Sequence, residues 1–198
     1  MSKHTKMSPA LTEEQQLAVR VTHGSTEGMN EYELRVTFLE WGTKLRAAIS
    51  LAESRLDADS FAHSMRVATL TEGNRIAFNS TLADNTAGLK AMVVGVLHDL
   101  IEDQVEGIGE EPEVSMFELA DKFGTEVANA VQVLTRTHLS KMTYRDYIAE
   151  VAKNDLATLV KIADLEDHLS KANASTLKPT LWARYERAWS QLTERERR

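Results

Sequence analysis

The residues best suited to chemistry lie in one segment, AMVVGVLHDLIEDQ, at residues 91–104. If this segment is a helix, His98, Asp99, Glu102 and Asp103 fall within an arc of about 140°. Apolar side chains fill the opposite arc, so the helix is predicted to be largely buried. Buried charges are costly unless they are paired or coordinate a metal. A solvated acidic face is the alternative, but the run VVGVLHDLI is too apolar for a surface helix, and a site is favoured.

Two further residues place metal-binding side chains in apolar surroundings. His63 lies in SFAHSMRVATL and Asp164 lies in LATLVKIADLEDHL. Taken alone, His63 is more simply a hydrogen-bonded core histidine, and Asp164 a partner for a buried lysine or arginine. With His98 and Asp99 they form a two-histidine, two-carboxylate set from three helices. Such ligands suit manganese, iron or zinc and leave positions open for water and substrate.

The elements that must position these residues are predicted to be helices. Only 3 prolines and 9 glycines interrupt 198 residues, and no stretch alternates like a strand. The expected fold is all-α, one compact bundle of about eight helices. Residues 1–10 are expected to be a tail, and residues 11–198 a single domain whose motifs occupy about 60–170.

Helix start and stop signals give approximate boundaries. Thr12 with Gln15 and Ser115 with Glu118 resemble capping boxes, Asn30 with Glu33 is predicted to open a helix, and Gly124 is a stop signal. The predicted elements begin with a helix over 12–23 and a second helix opened by Asn30, whose apolar stripe is Leu34, Phe38, Leu45, Ile49 and Ala52. These are followed by a helix over 60–70, an irregular connection within 71–88, a helix over 87–102 and a loop over 104–114. Further helices open at Ser115, Thr125, Thr143 and Asp155, and a last helix follows Pro179.

Composition limits the classes of partner. The net charge is −7, so the chain as a whole repels nucleic acid and anionic membranes. An anionic substrate therefore needs a metal or a local basic cluster. Cysteine is absent, no apolar run reaches membrane-spanning length, and residues 1–12 lack the apolar region of a secretory signal. A soluble cytoplasmic protein that binds neither nucleic acid nor membrane is expected, with its oligomeric state open.

The order His … His-Asp … Asp resembles the HD superfamily of metal-dependent phosphohydrolases. VLHDLIEDQ resembles the LLHDxxED signature of the hydrolase domain in Rel/SpoT alarmone enzymes. FGTEVANAVQVLTR resembles that family's FGxEVAxLVxxLTK, and LVKIADLEDHL resembles xVKLADRLHNL. Three motifs in the same order are specific, whereas any one alone is weak. The closest resemblance is to single-domain alarmone hydrolases, which use Mn²⁺ to remove the 3′-pyrophosphate from (p)ppGpp.

The resemblance implies a role for each matching residue. Mn²⁺ is the implied cofactor, and its ligands are His63, His98, Asp99 and Asp164. Glu102 and Asp103 match the family's ED pair and are implied to be catalytic, serving the water nucleophile and the phosphate. Two positions depart from the motif. The family's arginine is replaced by Leu165, and the asparagine that helps to hold the nucleotide is replaced by His168, which is expected to alter guanosine selection.

Several residues near these motifs are candidates for substrate binding: Arg55, Arg66, Arg136, Lys141, Tyr144, Arg145 and His168. Arg55 precedes His63 roughly where the resemblance implies a base-stacking residue, and a guanidinium can stack on a purine. Each basic residue taken singly is more simply a surface charge. The predicted function is a metal-dependent nucleotide pyrophosphohydrolase with (p)ppGpp as the leading substrate. An HD phosphatase for another nucleotide, such as a deoxynucleotide, and a nucleotide sensor without turnover remain as alternatives.

Overall fold

The computed structural model of the protein describes residues 30–77, 86–102, 114–136, 141–170 and 177–196. Within these ranges every regular element is an α-helix, which confirms the predicted all-α class. The eight helices of the described ranges are α1 (Glu31–Arg55), α2 (Ala58–Ala77), α3 (Ala87–Leu97), α4 (Met116–Phe123), α5 (Thr125–Leu134), α6 (Tyr144–Val151), α7 (Asp155–His168) and α8 (Pro179–Glu196).

Some predictions fall on residues outside the described ranges. These are the tail at 1–10, the helix over 12–23, all but the last residue of the loop over 104–114, and the candidate catalytic residue Asp103.

Side chains that bond to free backbone amides set several helix boundaries. Asn30 Oδ1 accepts from the Glu33 amide at 3.0 Å, and the Glu33 carboxylate accepts from the Asn30 amide at 2.7 Å. Ser115 and Glu118 form the same reciprocal pair at the start of α4. Gly124, between α4 and α5, has φ of 96°, which side-chain-bearing residues rarely adopt. The predicted helix start at Asn30, the capping box at Ser115 and the stop at Gly124 are confirmed, and the capping box predicted at Thr12 lies outside the described ranges.

Helix α3 lies at the centre of the bundle and packs against α1, α2, α5 and α7. Its side chains Val93, Val94, Val96 and Leu97 are all fully buried, as the apolar run predicted. A helix that is apolar on every side must be surrounded by others, so its ends are fixed in the protein interior. No helix in the described part of the chain is long and apolar enough to cross a membrane.

Helix α1 buries a face that overlaps the predicted stripe at Ala52 but is turned away from Phe38. Phe38 is 42% exposed, and Leu34, Leu45 and Ile49 are only partly buried. The fully buried residues of α1 are Thr37, Trp41, Ala48 and Ala52. Because Ala48 and Ala52 are small, α1 can approach α3 closely along this face. The predicted stripe included Ala52 but missed Thr37, Trp41 and Ala48.

Helix α2 is longer than predicted. It continues to Ala77, through the first seven residues of the expected irregular connection at 71–88. Thr71 is buried there, and Arg75 pairs with Glu72 at 2.7 Å one turn away. Burial and this local pair support helix in a sequence rich in polar residues. Residues 78–85 lie outside the described ranges.

Helix α3 is shorter than predicted and ends at Leu97 instead of residue 102. Residues 98–102 form a turn in which the Leu100 amide donates to the Leu97 carbonyl at 3.1 Å. His98 Nδ1 donates to the Gly95 carbonyl at 2.8 Å, the carbonyl that a continuing helix would pair with residue 99. A turn therefore presents His98 and Asp99, and the helical arc predicted for His98, Asp99 and Glu102 is wrong, while Asp103 lies outside the described ranges.

Smaller corrections concern α6 and α7. Helix α6 ends at Val151, before the predicted end near Asn154. The residue that caps α7 is Asn154, whose side chain accepts from the Ala157 amide at 2.9 Å, and not Asp155.

The contact between α2 and α3 depends on Gly95. A Cβ at this position would lie 2.8 Å from the Ala68 Cα. We expect Gly95→Ala to force the two helices apart and to lower the free energy of unfolding by about 1–3 kcal/mol. Gly42→Ala in α1 is the matched control, since open space surrounds that glycine. This substitution should raise the free energy of unfolding by about 0.5–1 kcal/mol. Denaturant unfolding followed by circular dichroism measures both, and equal effects would contradict the close contact.

Candidate metal centre

Three parts of the fold bring four candidate ligands together. His63 lies on α2, His98 and Asp99 lie in the turn after α3, and Asp164 lies on α7. His98 Nε2 is 3.0 Å from Asp99 Oδ2 and 3.9 Å from Asp164 Oδ1. His63 Nε2 is 3.2 Å from Asp164 Oδ1 and 3.6 Å from Asp99 Oδ2. Atoms that each bind one ion at about 2.0–2.2 Å lie roughly 3–4 Å apart, so these separations fit a single ion.

The two imidazole Nε2 atoms that face the cluster are buried, and their partners among the described residues are carboxylate oxygens at 3.0–3.9 Å. The other nitrogen of each ring is held in place. His98 Nδ1 donates to the Gly95 carbonyl at 2.8 Å, and His63 Nδ1 lies 2.8 Å from Asp167 Oδ2. A proton at Nδ1 leaves a lone pair at Nε2, which is how a histidine presents itself to a metal. The rings are therefore oriented for coordination.

The charges around the cluster favour a cation. Burial lowers the pKa of His98, but Asp99 and Asp164 outweigh it and raise that pKa to about 9. Burial also raises the pKa of Asp164, yet Lys161 and the nearby histidines hold it well below its usual value. For Asp99 burial again opposes the charged form, and His98 lowers the pKa. Two ionised carboxylates in a buried space attract either protons on the imidazoles or a metal ion.

The two oxygens of Asp164 have different partners. Oδ2 accepts from Lys161 Nζ at 2.6 Å, while Oδ1 faces the histidines of the cluster. One oxygen therefore pairs with a part-buried lysine, and the other faces the candidate ligands. Lys161 also fixes the orientation of the carboxylate.

Sequence analysis missed Asp167, which orients His63. Its carboxylate contacts His63 Nδ1 at 2.8 Å and accepts from Arg66 Nε at 2.7 Å and Nη2 at 3.0 Å. Arg66 was a candidate for substrate binding, and the structure places it in this two-pronged ion pair. The available signal was spacing, because Asp167 follows Asp164 by three residues and shares its helix face.

His168 also lies at the cluster. Its Nε2 is 3.2 Å from Asp164 Oδ1, and its ring centre is 5.0 Å from that of His63 and 5.2 Å from that of Tyr185. The position that the resemblance assigns to a nucleotide contact is thus within reach of the candidate ligands.

A basic cavity of about 330 Å³ lies between α6 and α8. It is lined by the candidates Tyr144 and Arg145, and by Arg184 and Arg187, which sequence analysis did not single out. The Arg184 guanidinium lies 4.5 Å from the centre of the Tyr144 ring. The Tyr144 hydroxyl is buried and has no hydrogen-bond partner in the described part of the protein. Arginines of α8 were missed because no motif links that helix to the cluster.

The remaining described candidates are Glu102, Arg136, Lys141 and Arg55. The Glu102 carboxylate is exposed and accepts from the Arg136 amide at 2.9 Å. The Arg136 guanidinium lies 5.8 Å from the centre of the Tyr144 ring. Lys141 is exposed before α6. Arg55 lies near Glu118 on α4, where it adds to the Ser115 hydrogen bonds that lower the pKa of Glu118, so the structure places it beside α4.

The contact between Asp167 and His63 can be tested through metal affinity. Asp167→Ala removes the group that orients His63, so we expect the affinity for Mn²⁺ or Co²⁺ to fall about 10- to 100-fold. Asp167→Asn keeps an oxygen acceptor for His63 and should retain part of the metal affinity that Asp167→Ala loses. Glu166→Gln is the control, since Glu166 bonds to Asn74 at 2.8 Å and Trp189 at 3.0 Å instead. Calorimetric titration gives the affinities, and a loss equal to the control's would show that Asp167 does not position a ligand.

Comparison with known proteins does not assign a function to the chain. No protein-family model matches the chain, and no curated protein matches it. The resemblance to the HD superfamily therefore depends on the motifs alone, and the four converging side chains are the observation from which a function has to be inferred.

Proposed function

We propose that the protein is a metal-dependent phosphohydrolase with one divalent ion held by His63, His98, Asp99 and Asp164. One observation carries the proposal. Two buried Nε2 atoms face two carboxylate oxygens at 3.0–3.9 Å, and the other nitrogen of each ring is held by a neighbouring oxygen. The ligands are nitrogen and oxygen without thiolate, and such a set suits Mn²⁺, Fe²⁺ or Zn²⁺, with Mn²⁺ the ion that the motif resemblance favours.

The chain's own groups have distinct tasks in this proposal. A bound divalent ion lowers the pKa of a coordinated water and polarises a phosphoryl oxygen. Glu102 and Asp103 take the proton of the attacking water and manage protons at the leaving phosphate. The Arg136 amide, 2.9 Å from Glu102 Oε2, orients that carboxylate. Lys161 orients Asp164 in the same way.

The basic cavity between α6 and α8 supports an anionic substrate. The chain carries a net charge of −7, so a phosphorylated ligand needs local cations as well as the ion. Arg145, Arg184 and Arg187 supply them in one cavity. The Tyr185 ring lies 6.2 Å from that of Tyr144 in the cavity wall and 5.2 Å from that of His168 at the cluster. We propose a nucleotide substrate, with the 3′-pyrophosphate of (p)ppGpp leading and GDP or GTP plus pyrophosphate as products.

A second candidate is a phosphatase that acts on another nucleotide. Leu165, where the motif has arginine, is fully buried in the core, and His168, where it has asparagine, lies beside Asp164. Neither side chain reproduces the motif's polar groups. This difference favours a pocket with another selectivity.

A nucleotide panel distinguishes these functions. The purified protein is incubated with Mn²⁺ and guanosine tetra- and pentaphosphate, ribonucleotides and deoxynucleotides, and phosphate and pyrophosphate are measured separately. Pyrophosphate release from the guanosine substrates is the expected result. Phosphate release from deoxynucleotides would favour the second candidate. Binding without any turnover would contradict an enzyme and leave a nucleotide sensor.

Replacing Glu102 separates chemistry from metal binding. Glu102→Gln keeps an oxygen for the Arg136 amide but removes the base, so we expect turnover to fall by about 10²–10⁴-fold with the metal retained. Asp99→Ala removes a ligand, and metal content and turnover should fall together. Asp99 is preferable to Asp164 here, because Asp164 also neutralises Lys161. Loss of metal from Glu102→Gln would make Glu102 a ligand and contradict this division of roles.

Replacing Arg184 tests the basic cavity. Arg184→Gln removes one cation from the cavity wall, so we expect KM for an anionic substrate to rise about 10- to 100-fold. Arg35→Gln is the matched control, since Arg35 is exposed on α1 and pairs with Glu31 at 2.7 Å. Steady-state kinetics at fixed ionic strength measure both variants. The same KM in both would place the substrate elsewhere.

A further inference from the structure

We infer that His168 is a fifth protein ligand of the same ion, so that the centre holds three imidazoles and two carboxylates. This inference rests on the metal centre of the proposed function and gives His168 a role other than the nucleotide contact that the motif implies.

The distances between His168, His63 and Asp164 are the first support for His168 as a metal ligand. Asp164 Oδ1 is 3.2 Å from His63 Nε2 and also 3.2 Å from His168 Nε2. Ligand atoms of these three residues all lie within 4.8 Å of one another. An ion bound to Asp164 Oδ1 and His63 Nε2 is therefore within reach of the His168 ring.

Helix geometry supports it independently. Asp164 and His168 are four residues apart on α7, so their side chains lie one above the other on the same face. Lys161 holds Asp164 Oδ2 at 2.6 Å, which directs Oδ1 to the imidazoles. Paired ligands at this spacing are a recurrent way for one helix to bind a metal.

Ring packing fixes the direction of His168. Its ring is tilted by only 31° to that of His63 at 5.0 Å and by 32° to that of Tyr185 at 5.2 Å. The ring therefore lies between two others and keeps Nε2 towards Asp164. The alternative is that His168 is held near the end of α7 only by attraction of a cationic imidazole to the helix dipole. That attraction would not require the ring to pack between two others with Nε2 towards Asp164.

A third imidazole has chemical consequences for the centre. Five protein ligands leave one position of a six-coordinate ion for water, in place of two. Imidazole suits iron, zinc and related ions, whereas carboxylate and water suit manganese. His168 is therefore expected to move the metal preference from Mn²⁺ towards ions that bind nitrogen more strongly.

Pulsed electron paramagnetic resonance on the Mn²⁺-loaded chain counts coordinated imidazole nitrogens directly. We expect three in the original chain and two in His168→Asn, with Co²⁺ affinity reduced by about 10-fold or more. Tyr185→Phe keeps the neighbouring ring and should retain three. Thermal unfolding without metal checks that His168→Asn is folded, which is expected because the His168 side chain is 36% exposed.

The outcomes separate this inference from the proposed function. A count of two in the original chain, unchanged in His168→Asn, would overturn His168 as a ligand and leave the metal centre intact. No bound metal in the original chain would overturn the centre itself. Two ions per chain by elemental analysis would overturn the single-ion arrangement and assign His168 to a second ion.

Discussion

Two carboxylates and two imidazole nitrogens share one buried space, and the surrounding structure is arranged to hold them there. Asp99 and Asp164 repel each other, and burial makes their charges more costly. The fold offsets this cost with fixed partners: Lys161 on Asp164, and the imidazoles of His63 and His98 on both acids. The close approach of α2 and α3 at Gly95 brings His63 and His98 within reach of the same centre.

Part of this arrangement could be predicted from the sequence. Helical class and caps are local, so the helix start at Asn30, the capping box at Ser115 and the stop at Gly124 were readable from a few residues. The turn at residues 98–102 could not be predicted, because the apolar run continues with helical spacing through Ile101. The hydrogen bond from His98 to the Gly95 carbonyl, which accompanies the end of α3, depends on side-chain geometry. The buried face of α1 includes Thr37 and Ala48, which a stripe chosen by hydrophobicity did not include.

Long-range partners of the site were the least predictable part. Asp167 and His63 are far apart in sequence, and their contact follows from how α2 and α7 cross. The arginines of α8 reach the basic cavity in the same way, through packing against α6 and α7. Four candidate ligands could nevertheless be chosen from residue type and apolar surroundings, because few other residues carry metal-binding groups on buried helices.

Anomalous diffraction at the manganese edge, from crystals grown with Mn²⁺, tests the metal centre most directly. The account predicts one strong peak about 2.0–2.4 Å from His63 Nε2, His98 Nε2, Asp99 and Asp164 Oδ1. Absence of a peak at this position, or a peak bound by other residues while these four side chains lie apart, would contradict it.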